Sequence, residues 1–152
     1  MSGNFQFSPY EKLQPRSASV VRSTESIKLE EIGQRLTDLA WAGGLIDGEG
    51  CIEATGSIRI TVQSTSRATV ESLHEILGGK CYVESRKTAK GRTVFRWALY
   101  GPNALAALNT LDGYLVEKKD QAKLAASFYR YPPKSAMRAS IKERLSKLKR
   151  TS

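Results

Sequence analysis

Histidine occurs once and cysteine twice in this chain of 152 residues, and basic side chains outnumber acidic ones 24 to 15. Each shortage excludes something. Cys51 and Cys81 are too few and too widely spaced for a disulfide framework or a metal knuckle, and both are expected to sit reduced in strands. His74 lies on an expected helix, where a lone imidazole is ordinarily a boundary residue, and it is given no role. No apolar run approaches the roughly 20 residues of a membrane-spanning helix. The first residues, MSGNFQFSPYEK, lack the basic-then-apolar order of a secretory leader. The expectation is an intracellular, soluble protein with no membrane partner. Hydrophobic and charged contents of 40% and 26% are those of a globular domain. The shortage of acids leaves a net charge of +9, and because the bases recur along the chain instead of forming one tail, nucleic acid is the leading partner. Solubility or an acidic protein surface would account for the same excess.

Residues 1–26 mix Ser, Pro, Gln and charge without periodicity and read as a mobile N-terminal arm. Ile27, Leu29 and Ile32 add a short helical lead-in to a helix over about residues 36–47. Residues 51–55 and 57–64 read as a hairpin turning near Gly56, because Ile58, Ile60 and Val62 alternate with Arg59, Thr61 and Gln63. Ser66 is placed to cap a helix reaching Leu77, with Val70, Leu73, Ile76 and Leu77 on its apolar side and Gly78-Gly79 ending it. A second hairpin joins residues 80–86 to 92–100 through a basic loop, and in its second strand Phe95, Trp97 and Leu99 alternate with Val94, Arg96 and Ala98. Asn103 is a candidate cap for residues 104–111, and Asp112-Gly113 breaks that pattern. A longer helix covers about 117–129, and after Pro132-Pro133 residues 136–150 form an amphipathic basic helix. The expected division is an arm, 1–26, a domain, 27–131, and a basic C-terminal helix, 132–152.

The chain is organised around residues 41–50, WAGGLIDGEG. Leu36, Leu39, Ala40, Gly43 and Gly44 recur at three- and four-residue spacings, which predicts one helix face that is apolar and then almost bare. A glycine inside a helix costs about 1 kcal/mol against alanine, usually offset only where two backbones touch. Gly48 and Gly50 are expected to release the chain from the helix and leave Asp47 and Glu49 at its tip. This stretch resembles the LAGLIDADG motif of the homing endonucleases, with residues 42–50 on its nine positions and Gly44-Leu45-Ile46-Asp47 and Gly50 matching most closely. Gly43 replaces a family alanine, Ala42 a leucine, and Glu49 the commoner aspartate.

The resemblance covers about residues 36–129. It implies an α+β domain of α-β-β-α-β-β-α order whose four strands form one antiparallel, saddle-shaped, DNA-binding sheet. It further implies a site-specific endonuclease of a mobile element or intron, acting as a homodimer on both strands of a long pseudo-palindromic duplex, with Mg2+ or Mn2+ as cofactor. The corresponding setting is the cytoplasm of a prokaryote or phage-infected cell, or an organelle.

Phosphodiester hydrolysis needs a neutralised phosphate, a deprotonated water and a stabilised leaving oxygen, all of which bound magnesium supplies. Magnesium keeps several waters, so one protein carboxylate per ion suffices when DNA provides other ligands. Glu49, with the carbonyl of Gly48, is the candidate metal site, and Asp47 is read as capping backbone groups near the tip. The alternative makes Asp47 the ligand and Glu49 a surface acid. By the resemblance, the stretch YLVEKKDQA at 114–122 puts Lys118 at the family's basic residue near the scissile phosphate. The family's polar residue at the end of the second strand falls on Gln63 or Ser64, according to register. Strand alternation selects Glu53, Thr55, Arg59, Thr61, Gln63, Glu84, Arg86, Arg92 and Arg96 as an outward, base-reading set, with Lys87 and Lys90 holding phosphates. The dimer interface is expected along Leu36, Leu39, Ala40, Gly43, Gly44 and Asp47, with a two-fold axis placing both Glu49 residues near it. Relatives of this fold also act as RNA-splicing maturases, with RNA as partner, or as transcription regulators, and a catalytically silent nucleic-acid binder is the alternative function. A purely structural dimerisation domain leaves the outward arginines unexplained.

Overall fold

The computed structural model describes residues 23–151, and the rest of the expected arm lies outside the described residues. Helix α1 spans Thr24–Glu49 and so already includes the last residues of that arm. It starts where the Ser23 hydroxyl accepts the N–H of Ser26 at 3.1 Å, the reach of an N-cap. The expected lead-in and motif helix are one element, since no proline interrupts the stretch. The helix also runs past Asp47. Gly48 lies inside it, and Gly50 alone makes the exit. A Cβ at residue 50 would sit 2.7 Å from the Ile46 carbonyl oxygen, so only glycine turns this tightly from helix into strand.

Strands β1 (Gly50–Ala54), β2 (Ile58–Ser64), β3 (Lys80–Lys87) and β4 (Thr93–Tyr100) form one antiparallel sheet in the order β1-β2-β4-β3. The registers Ile52↔Ile60, Ile60↔Leu99 and Val62↔Trp97 align the core face. On the other face Glu53, Arg59 and Tyr100 form one row, Cys51, Thr61, Ala98 and Lys80 a second, and Gln63, Arg96 and Tyr82 a third. The alternation read from the sequence therefore holds in β1, β2 and β4.

Helix α2 (Arg67–Leu77) has the expected caps: Ser66 Oγ accepts the Thr69 N–H at 3.3 Å, and Gly78 and Gly79 leave the helix at positive φ, 77° and 90°. Trp97 Nε1 donates to the Gly78 carbonyl at 2.8 Å, which ties that exit to β4. Helix α3 (Gly101–Thr110) begins earlier than expected. Pro102 in its first turn supplies a helical φ without needing a donor partner, so Asn103 is not a cap and lies within the helix. Helix α4 (Lys119–Ala126) is shorter than expected and passes into a 3-10 turn, Phe128–Arg130. Helix α5 (Ala136–Thr151), expected to stand apart from the domain, buries Ile141 and Leu145 in the same core cluster as Ile52, Ile60, Trp97 and Phe128. Each such side chain removed from water stabilises the fold by about 1.5–3 kcal/mol. No helix among the described residues is long and apolar enough to cross a membrane.

Candidate active site

The path from α1 through β1 to β2 builds the site. Because β1 leaves α1 with no loop and pairs antiparallel with β2, placing Gly50 opposite Val62, the end of β2 returns beside the end of α1. Glu49, Gln63 and Ser64 thereby line one open cleft of about 360 Å³, together with Leu45, Thr65 and Val94. Glu49 is exposed, and its carboxylate has no hydrogen-bond or ionic partner among the described residues. Gln63 is exposed on the outward face in line with Arg59 and Thr61. Ser64 falls on the opposite alternation and its hydroxyl accepts the Ser66 N–H at 3.0 Å. At the rim, Arg92 Nη2 donates to Thr65 Oγ1 at 3.1 Å, which brings a guanidinium to the edge of the cleft.

Asp47 is committed elsewhere. Its Oδ1 accepts the N–H groups of Val116 and Lys118 at 3.1 and 2.8 Å, and its Oδ2 accepts that of Glu117 at 3.1 Å. Burial pushes its carboxyl up, but the bonds from Lys118, Glu117 and Val116, with the Lys118 charge, outweigh this and hold it below the ordinary value. The carboxylate thus caps the approach to α4, some seventy residues away. Lys118 returns a bond: its Nζ donates to the Asp47 carbonyl at 2.6 Å. That ammonium sits on the last turn of α1, at the negative end of the helix dipole, and does not line the cleft.

The expected interface face of α1 divides in two. Successive residues of a helix are about 100° apart, so Leu39 and Ala40, or Gly43 and Gly44, point in different directions. Leu39 and Gly43 are buried in their own chain, and a Cβ on Gly43 would lie 2.6 Å from Tyr114 Cβ. The backbone contact that the glycine permits is therefore intramolecular. Ala40 and Gly44 are exposed, as are Leu36 and Trp41, and a Cβ on Gly44 would meet nothing within 4 Å. Asp47, included in the same expected face, spends its carboxylate within the chain.

Of the expected DNA-reading set, Glu53, Arg59, Thr61, Gln63 and Arg96 share the outward face. Glu84 joins them through an ion pair with Arg96. Thr55 lies just beyond β1 in the hairpin turn, with its N–H on the Ser57 carbonyl at 3.2 Å. Arg92 precedes β4 and belongs to the loop, with Lys90, while Arg86 and Lys87 close β3 where its register shifts. Lys80, Tyr82 and Tyr100 were not anticipated on that face. Their alternation with Cys81 and Leu99 was readable, but β3 has only one strongly apolar position to set its phase.

Among the described residues no three His, Cys, Asp or Glu side chains gather to hold a metal ion. The oxygen donors at the cleft, the free carboxylate of Glu49 with the Gln63 amide and the Ser64 and Thr65 hydroxyls, are hard, and Gly48 is not among the residues that line it. These donors fit a cation that takes most of its ligands from water and phosphate, and they do not fit a cage built by protein alone.

Neither a family model nor a curated protein matches the chain. Solved structures do. The chain is similar to the homing endonuclease I-CvuI in complex with its target in the presence of 2 mM Ca, at 23% identity and TM-score 0.63, over 76% of this chain and 83% of that one. I-CvuI with the I-CreI target in 2 mM Mg, with DNA not cleaved, matches at TM-score 0.62 and the same identity and coverage. The archaeal intron-encoded homing endonuclease I-Vdi141I complexed with DNA matches at 12% identity and TM-score 0.51, over 74% and 97% of the two chains. The chain therefore has the α+β LAGLIDADG homing-endonuclease fold that its motif implied.

Proposed function

We propose that the chain is a homing endonuclease that works as a homodimer and uses Mg2+ or Mn2+ to hydrolyse both strands of a long duplex site, the activity through which an intron or mobile element spreads. The observation that carries this reading is the cleft at the end of α1, where an unpartnered Glu49 carboxylate meets Gln63 and Ser64 beside a face rich in arginine. Glu49, with the Gly48 carbonyl, holds the cation. When bound, the cation supplies charge neutralisation on the phosphate and a more acidic water. Gln63, with an unengaged amide at the cleft, orients water or a phosphate oxygen, and Ser64 shapes the wall behind it. Lys118 keeps two donors beyond its bond to Asp47 and, from outside the cleft lining, adds positive charge at the end of α1 that favours an approaching phosphate. Arg86, Lys87, Lys90 and Arg92 grip phosphates, and the sheet face reads bases.

The exposed Ala40 and Gly44 are the closest-approach positions for a second copy of α1, and a two-fold axis there puts two Glu49 sites near the centre of the target. The eight residues of β4 span about 26 Å at about 3.3 Å each, or about eight base pairs. Two sheets with their flanking turns then cover roughly 18 to 22 base pairs in inverted halves. Incubating the protein with a random duplex library, with and without magnesium, and aligning the cleaved survivors tests this. Metal-dependent cutting at an inverted repeat is expected. Binding without cutting points instead to a silent relative, an RNA-splicing maturase or a transcription regulator, and an asymmetric consensus counts against the homodimer.

A further inference from the structure

Two of the arginines on the outward face are held by acids of the same face. Arg59 Nη2 is hydrogen-bonded to Oε1 of Glu53, its neighbour across β1 and β2. Arg96 Nε lies 2.8 Å from Oε2 of Glu84, and its guanidinium carbon stands 4.8 Å over the ring of Tyr82, its neighbour across β3 and β4. Both arginine side chains are partly covered, 40% and 30% exposed. Arg86, Lys87 and Lys90 differ: they are exposed and have no hydrogen-bond or ionic partner among the described residues.

Carboxylates on a surface that faces a polyanion repel it, so the two acids weaken association unless they contribute something else. Glu53 remains charged where it stands. The bond from Arg59 is the largest influence on Glu53 and, against the opposing effect of burial, holds its carboxyl below the ordinary value. A guanidinium has a planar fork of donors; Glu53 takes one Nη2 donor of Arg59, and Glu84 faces the Nε of Arg96 as an ion pair without a formed hydrogen bond, so most donors of each fork stay open. Two consequences follow. The fork is oriented before any ligand arrives, which lowers the ordering cost of contact. Its charge is also locally cancelled, so a lone phosphate oxygen gains little from it. A paired acceptor edge, such as O6 and N7 of guanine, still fits the free donors.

We propose that Glu53 and Glu84 are positioning residues for sequence reading, holding Arg59 and Arg96 as fixed, neutralised forks that read bases while the unpaired Arg86, Lys87 and Lys90 hold phosphates. This rests on the reading of the sheet as the DNA-facing surface. The acids act through the arginines and contact no base themselves.

The test measures binding of the full chain, without divalent cation, to its selected duplex, to single-base variants of it and to an unrelated duplex. Salt is varied from about 50 to 200 mM, and Glu84→Gln, Glu53→Gln, Arg96→Ala and Arg59→Ala are compared. Glu84→Gln should lose about tenfold in discrimination at the position that Arg96→Ala relaxes, and Glu53→Gln likewise at that of Arg59→Ala, while both bind the unrelated duplex more tightly. The slope of log affinity against log salt should steepen by about one as the released arginine takes a phosphate. A loss of packing alone would not steepen that slope. If the arginine variants relax base preference and both glutamine variants keep the wild-type preference and slope, the positioning role is wrong. If wild type binds no duplex selectively, or neither arginine variant changes preference, the reading of the sheet fails and this inference with it. Should one glutamine variant not fold, the other decides, because the two pairs lie in separate rows of the sheet.

Discussion

Asp47→Asn exchanges one oxygen for an amide NH2 and removes a charge while keeping the shape of the side chain. In the native chain Oδ1 accepts from Val116 and Lys118 and Oδ2 from Glu117. The amide oxygen can retain the first pair, but its NH2 then faces the Glu117 N–H, donor against donor. A hydrogen bond to a charged group contributes about 1.5–3 kcal/mol, and solvent at this half-buried position reduces that, leaving a loss of about 1–2 kcal/mol. At roughly 2–4 °C per kcal/mol for a chain of this size, the melting temperature should fall by about 2–8 °C. The pH dependence adds a second signature. Burial raises the Asp47 carboxyl, and the three N–H bonds with the Lys118 charge lower it further than burial raises it. A carboxyl depressed in the folded state stabilises the fold fully above its unfolded value and loses that contribution as pH falls through the folded one. Asparagine does not titrate, so the gap between variant and wild type should be constant near neutral pH and shrink below the ordinary value of 3.8. Thermal melts followed by circular dichroism at several pH values, with cleavage rates measured below both melting temperatures, check both effects. A variant that melts with wild type and no longer cleaves, beside a Glu49→Gln that still does, would refute the assignment and make Asp47 the metal ligand.

Glu49→Gln should leave duplex binding and melting temperature near wild type and abolish magnesium-dependent cleavage, because the amide lacks the charge that holds a cation; cleavage at the wild-type rate would move the metal site elsewhere. The two neighbouring glycines should separate fold from assembly. Gly43→Ala meets Tyr114 within its own chain and should lower the denaturant midpoint, at a cost of about 1–3 kcal/mol, whereas Gly44→Leu should fold normally and sediment as a monomer. A wild type already monomeric at micromolar concentration would remove the dimer. Lys118→Met should slow single-turnover cleavage with little change in affinity, and an unchanged rate would leave Lys118 with its bond to Asp47 as its whole role.

Much of the fold was legible because it is encoded in short range. The alternation of Ile58, Ile60 and Val62 with Arg59, Thr61 and Gln63 fixes which face of β2 is core, and Ser66 and Gly78-Gly79 mark both ends of α2 with side-chain and backbone chemistry that few other residues supply. Boundaries failed where that chemistry is absent or duplicated. Helix α3 starts at Gly101 with no side-chain cap, so Asn103, a good cap by type, pointed to the wrong residue. Helix α5 was legible as an amphipathic helix over nearly its observed span, but that Ile141 and Leu145 join the same core as Ile52 and Phe128 is a long-range fact that local periodicity does not report.

The site divides along the same line. Glu49, Gln63 and Ser64 meet because a helix runs directly into a hairpin, a path of sixteen residues that sequence pattern can follow. What Gly43 and Asp47 touch is set by Tyr114 and by residues 116–118, and no local pattern reports a contact across seventy positions. Spacing alone therefore could not say which glycine faces inward, nor which acid is spent. Helical geometry supplies the answer once one partner is known. Asp47 and Glu49 are two residues apart on a continuous helix, so their side chains diverge by about 200°. If Asp47 is turned into the chain to hold the approach to α4, Glu49 must be turned away from it, toward the end of β2. The acid left free for a cation is free because the other one is not.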